Sequence, residues 1–257
     1  MKSFALALIA IALGCHALAD PSAETLRVLF VGNSQMIAWD LPEMIKQMAG
    51  SAPATHPRID AGRVLMSGGT LKRHWEAGIT KTSARGMIAA EHWDYVVVQE
   101  IYGAREPDFD EYAARFDEEI RKAGSKTILF ATANVTEFYS PSFTYPEAFR
   151  NLNDMQIEFG KKKGIPVAAA GYAWMKYLGP NPSLEHRLDL YNKDKGHPGA
   201  KGSYIYACLL YAVITRKNPE GLANEFKDIR GGFVIPKDEA VKMQKAAWDQ
   251  YRESMNQ

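Results

Sequence analysis

Short β-branched runs alternate along this chain with longer stretches of helical spacing, and that alternation restricts the fold more than any other feature. Residues 26–31 and 127–131 read as strands, 59–66 as a weaker one and 167–170 as another. Residues 95–98 are wholly apolar, the pattern of a strand covered on both faces. Residues 41–49 predict a helix that begins after Asp40, with Pro42 in its first turn. Residues 109–123 show helical spacing through Tyr112, Phe116 and Ile120, and 146–163 predict a further helix. Residues 200–215 and 237–255 close the chain as helices. Repeated strand–helix units with buried strands imply an α/β class fold, a mostly parallel sheet of about five strands sandwiched by helices. Ligands of such sheets gather at the carboxyl ends of the strands.

The 257 residues are ample for one core, and no repeat or low-complexity linker divides them. Lys and Arg number 31 against 30 Asp and Glu, a formal charge of +1. Nucleic-acid binders usually carry a basic excess or stripe, so the expected partner is a small or neutral substrate, with no nucleic acid. The first 19 residues have a basic start at Lys2, an apolar run over 4–14 and the small-x-small pattern Ala17-Leu18-Ala19. The run is shorter than the roughly 20 residues of a permanent span. Residues 1–19 are therefore expected to be a signal peptide and 20–257 a single domain, exported to the periplasm or secreted. A lipoprotein reading exists at Leu13-Gly14-Cys15, although Ala12 stands where a larger aliphatic residue is usual. Without Cys15 the mature chain keeps only Cys208, in an apolar run that reads as a buried helix face.

Two constellations carry chemistry. Gly32-Asn33-Ser34 follows directly on the first strand, where a serine projects its hydroxyl from the sheet edge and its amide can help bind an oxyanion. Position 36 is methionine, so this is not a glycine-x-serine-x-glycine elbow. The alternative is that Ser34 caps a helix. The second constellation is Asp194-Lys195-Gly196-His197-Pro198, just before the helix from Ala200. A serine nucleophile needs a base, histidine suits neutral pH, and a carboxylate fixes the imidazole tautomer. Asp194, three residues before His197, meets that need in one loop. Taken alone, the pair reads as a surface loop.

In order along the chain stand Gly32-Asn33-Ser34 with Asp40-Leu41-Pro42, then Ser67-Gly68-Gly69-Thr70-Leu71 with His74-Trp75. Trp93-Asp94-Tyr95-Val96-Val97-Val98 leads to Gln99-Glu100, and Asp194 to His197 is followed by Pro198 and Gly202. These blocks resemble those of the SGNH, or GDSL-like, hydrolase superfamily, in a bacterial branch whose first block reads Gly-Asn-Ser. The resemblance implies a three-layer α/β/α, flavodoxin-like fold and a serine esterase with Ser34, His197 and Asp194 as catalytic residues. It also implies an oxyanion hole of the Ser34 and Gly68 amides and the Gln99 side chain, with no cofactor and no metal. Gln99 stands where the superfamily usually has asparagine, so its geometry departs from the pattern. Its plain reading is a polar strand end bonded to neighbouring backbone. Either Gly68 or Gly69 can supply an N–H; order within the block favours Gly68.

His74 reads as a helix residue near the cleft rather than a metal ligand. Phe138, Tyr139, Phe143 and Tyr145 suit either a cleft wall or loop packing, and Lys161-Lys162-Lys163 a solvated helix end. The expected function is removal of acetyl or other short acyl groups from a carbohydrate or small ester. An O-acyltransferase would use the same residues. A carbohydrate-binding module on this fold would need none of them intact.

Overall fold

The computed structural model describes residues 24–101, 108–133 and 145–255, apart from the Ala148 side chain. The expected signal peptide, Cys15, Phe138, Tyr139 and Phe143 lie outside those residues. Five strands form one sheet: β1 (Thr25–Gly32), β2 (Arg58–Leu65), β3 (Tyr95–Val98), β4 (Lys126–Ala131) and β5 (Val167–Ala169). Their order is β2-β1-β3-β4-β5, and all four pairings are parallel. Strand order reverses between β1 and β3, and the crevice beyond their carboxyl ends is where such sheets bind ligands.

Alternate strand residues feed two cores. Val28, Phe30, Val97, Ile128 and Phe130 pack with α2 (Leu41–Ser51), α7 (Ala170–Leu178), α9 (Ala200–Thr215) and α10 (Lys237–Met255). Leu29, Val31, Val96, Val98 and Leu129 pack with α4 (Ala84–Ala90) and α5 (Asp108–Lys122) on the other face. Each fully buried Val, Leu or Phe contributes roughly 1.5–3 kcal/mol, so the two faces together hold a three-layer α/β/α sandwich. The α6 helix (Glu147–Lys163) reaches both cores, through Phe149 on one side and Phe159 on the other. It ends on exposed Lys161, Lys162 and Lys163 and a left-handed Gly164.

Nearly every residue of α9 is buried, which explains its unbroken apolar run. Cys208 lies inside it, and burial pushes its thiol far up, so it is inert as a nucleophile. One expected boundary is corrected: Ala170 belongs to α7, not to the strand before it. The reason is tertiary, because Asn153 Oδ1 accepts the Gly171 N–H at 3.1 Å and helically spaced Ala170, Ala173 and Trp174 are buried. The short elements α1 (Ser34–Ile37), α3 (Leu71–Glu76), α8 (Leu184–Leu188) and the hairpin β6 (Glu225–Phe226)–β7 (Phe233–Val234) escape sequence periodicity altogether.

Candidate active site

The turn that carries Ser34, the candidate nucleophile, begins where β1 ends. A Cβ on Gly32 would stand 2.7 Å from Gln99 Oε1 and 2.8 Å from Met36 Sδ, so any side chain there would displace Gln99 or Met36. Asn33 follows as the N-cap of α1: its Oδ1 accepts from Gln35 N at 3.0 Å, and its Nδ2 donates to Gly69 O at 3.0 Å. Ser34 is thus the first residue of the helix rather than its cap. It is half-buried, and neither its hydroxyl nor its main-chain N–H has a hydrogen-bond partner among the described residues.

Gln99 lies at the adjacent end of β3, fully buried. Its Oε1 accepts from Asn33 N at 2.9 Å, and its Nε2 donates to Glu100 O at 2.5 Å. These partners settle which end of the amide is which, since an N–H only donates and a carbonyl only accepts. One Nε2 hydrogen is left for a further acceptor. The plain reading of Gln99 as a braced strand end therefore holds, and the donor reading keeps one N–H.

The glycine turn stands beside them. Gly69 N donates to Met66 O at 2.8 Å, whereas the Gly68 N–H is unpaired among the described residues. Gly68 is exposed at φ 61°, a conformation that suits glycine. Behind the turn, His74 on α3 is buried with its Nε2 2.9 Å from Gly32 O, so that nitrogen carries the proton. Burial lowers its basicity, the Gly32 carbonyl opposes that, and the Arg73 charge adds to it. His74 is thus a buried helix residue that props the carbonyl two residues before Ser34.

The fourth piece is the loop before α9. Asp194 Oδ1 accepts from Gly196 N at 2.9 Å and His197 N at 3.0 Å, and its Oδ2 lies 2.9 Å from His197 Nδ1. With Nδ1–H donating to the carboxylate, His197 presents Nε2 as a base. Burial alone would raise the Asp194 carboxyl, but the Gly196 N–H, the His197 ring and the His197 N–H outweigh it and hold it below the usual range. The loop is sewn to the nucleophile turn by Gln35 Nε2 on Gly196 O at 3.0 Å, and by Trp39 Nε1 on Asn192 Oδ1 at 3.1 Å. No hydrogen bond joins Ser34 and His197 directly; such contacts commonly tighten only with substrate bound.

Ser34, Gly68, Gln99 and the Asp194–His197 loop thus converge on the carboxyl edge of the sheet. Tyr145 packs instead on Phe149, with ring centroids 5.5 Å apart. The residues that sequence reasoning passed over are Gln35, which ties the two ends of the site, and Glu100. The signal for Glu100 was a polar pair directly after an apolar strand.

No protein-family model matches the sequence, and no curated protein matches it. Solved structures do. A candidate SGNH hydrolase from Slackia heliotrinireducens superposes with a TM-score of 0.57 at 19% identity, over 76% of this chain and 100% of that one. The fold is that of the SGNH hydrolases. The acetyl xylan esterase AlAXEase shares this SGNH fold with a TM-score of 0.54 at 12% identity, over 74% of this chain and 100% of its own. TesA does so at 0.50 and 16%, over 75% and 99%. At such identities the likeness concerns the fold. The chemistry of this chain rests on its own residues.

Proposed function

We propose that this chain is a serine ester hydrolase that removes acetyl or other short acyl groups from a carbohydrate or small ester. The observation that carries the reading is the 2.9 Å Asp194–His197 contact, in a loop bound through Gly196 to the residue after Ser34. His197 Nε2 takes the Ser34 hydroxyl proton as Oγ bonds to the ester carbonyl carbon. The carbonyl oxygen becomes an oxyanion, met by the Ser34 and Gly68 amides and the remaining Gln99 Nε2–H. When the carbon–oxygen bond to the alcohol breaks, His197 returns the proton to the leaving oxygen. Water then attacks the acyl-serine, again deprotonated by His197, and releases the acid with Ser34 restored.

The acetyl preference is supported by the presence of an acetyl xylan esterase among proteins of the same fold. The basic start, apolar run and Ala17-Leu18-Ala19 support export of a single domain that starts at Asp20. Among the described residues no helix is long and apolar enough to cross a membrane.

A fluorophosphonate probe tests the reading: it should label the wild type at Ser34, by peptide mass, and leave Ser34→Ala unlabelled. A folded wild type that is neither labelled nor active on short-chain aryl esters rejects it. Intact mass of the exported form tests the boundary; a lipidated Cys15 at the terminus would replace Asp20.

A further inference from the structure

Glu100 is 3% exposed at the carboxyl end of β3 and forms no ion pair among the described residues. Its Oε2 accepts the Leu71 N–H at 3.2 Å and its Oε1 the Ile101 N–H at 2.6 Å. Its main-chain carbonyl accepts Gln99 Nε2 at 2.5 Å. A buried carboxylate is a costly way to receive amides, and burial here pushes the carboxyl up to about 7, against the pull of both N–H groups. Glu100 is not the N-cap of α3, since Thr70 Oγ1 fills that role by accepting Arg73 N at 3.1 Å; it takes the Leu71 N–H from outside the helix, together with an amide that does not belong to α3 at all. What only a carboxylate supplies is two acceptor oxygens with no donor of its own. A glutamine there would set its own NH₂ against one of the two amides.

Those two amides come from different parts of the site. Leu71 lies two residues after Gly69 of the glycine turn, and Ile101 two residues after Gln99 on the segment that leaves β3. Asn33 Nδ2 holds the same turn from its other side through Gly69 O. We propose that Glu100 is a positioning residue that fixes the Gly68 amide and the Gln99 side chain relative to Ser34. It touches neither substrate nor oxyanion. It sets the angle between two groups that do.

This inference rests on the ester-hydrolase reading, and the experiment separates the two. Steady-state kinetics on a short-chain aryl ester are compared for the wild type, Glu100→Gln and Glu100→Asp, each with its own thermal melt. Asp is too short to reach both amides, and Gln has a single acceptor oxygen. The expected result is a fall in kcat of about tenfold with KM unchanged in variants that stay folded at the assay temperature. That is smaller than the roughly 10²–10³-fold cost of deleting an oxyanion donor. An inactive wild type overturns the hydrolase reading and this inference with it. An active wild type whose folded Gln and Asp variants keep its kcat, or lose kcat and gain KM together, overturns the inference alone. Failure of both variants to fold overturns it too, by assigning Glu100 to stability.

Discussion

The two halves of the site are made in opposite ways. Asn33, Gln99, His74 and Glu100 are all buried, and their polar groups reach one another or main chain across three segments. The Asp194–His197 half sits on a loop with side chains 52% and 34% exposed, held by contacts within four residues and by two tethers to α1 and the turn after it. The buried half is costly to disturb because moving any member leaves a buried N–H or C=O unpaired, at about 1–3 kcal/mol each. The base side is tolerant because water can replace what a substitution removes. The halves should therefore separate by assay: the loop governs rate with little effect on stability, and the buried half governs both.

The largest effect is expected where the half-buried turn meets the exposed loop, at Ser34 and His197. Ser34→Ala and His197→Ala should each lower kcat by about 10⁵–10⁶-fold, with the double variant little worse, because members of one unit are non-additive. Asp194→Asn should lose roughly 10⁴-fold and leave the melting temperature almost unchanged. A folded Ser34→Ala with wild-type turnover on an aryl ester breaks the comparison and the mechanism together. Gln99→Ala comes next. It should cost roughly 10²–10³-fold in kcat and also about 1–3 kcal/mol of stability in a denaturant titration, since Asn33 N and Glu100 O lose their partner. A stable, fully active variant would remove Gln99 from both roles.

A third test uses pH. The Glu100 carboxyl is raised in the folded state, so the native protein holds a proton that the unfolded chain has released between pH 4.5 and about 7. Its contribution is thus fully present below the unfolded value of 4.5 and lost as pH rises through about 7. The shift corresponds to at most about 3 kcal/mol. Wild-type stability measured relative to Glu100→Gln should decline by up to that much from pH 4.5 to 8. The opposite trend of His74, which loses stability as pH falls below about 6.5, is common to both chains and cancels. A flat difference would mean that Glu100 ionises as freely folded as unfolded. The smallest effect is expected at Gly68→Ala, where a Cβ meets only Arg73 Nη1 at 3.8 Å. Its cost is the left-handed backbone, about 1 kcal/mol.

The same division governs what could be read from the chain. Strands 26–31 and 95–98, and the helices 200–215 and 237–255, announce themselves through runs or spacing long enough to average over several residues. Asp194 and His197 are legible because the chemistry lies in one short loop, and Ser34 because it directly follows a strand. Glu100 and His74 are not, because their roles come from N–H and C=O groups supplied by distant segments. A glutamate after an apolar run looks the same whether it meets water or two buried amides. The helices α1, α3 and α8 span fewer than two turns, so no periodicity can form within them. Gln99 is a mixed case: its residue type suggested a donor, and only the contact with Asn33 N reveals that half of the amide braces the nucleophile turn.

The tie between Gln35 and Gly196 spans 161 residues of sequence. All five strands of the main sheet are complete by Ala169, so the strand end that carries Ser34 precedes in sequence the loop that carries His197 and the helices α7, α9 and α10 that cover one face of the sheet. Closing so long a loop is among the slower events of folding. Recovery of turnover after denaturation should lag the return of secondary structure, and that lag would time the docking of the last quarter of the molecule.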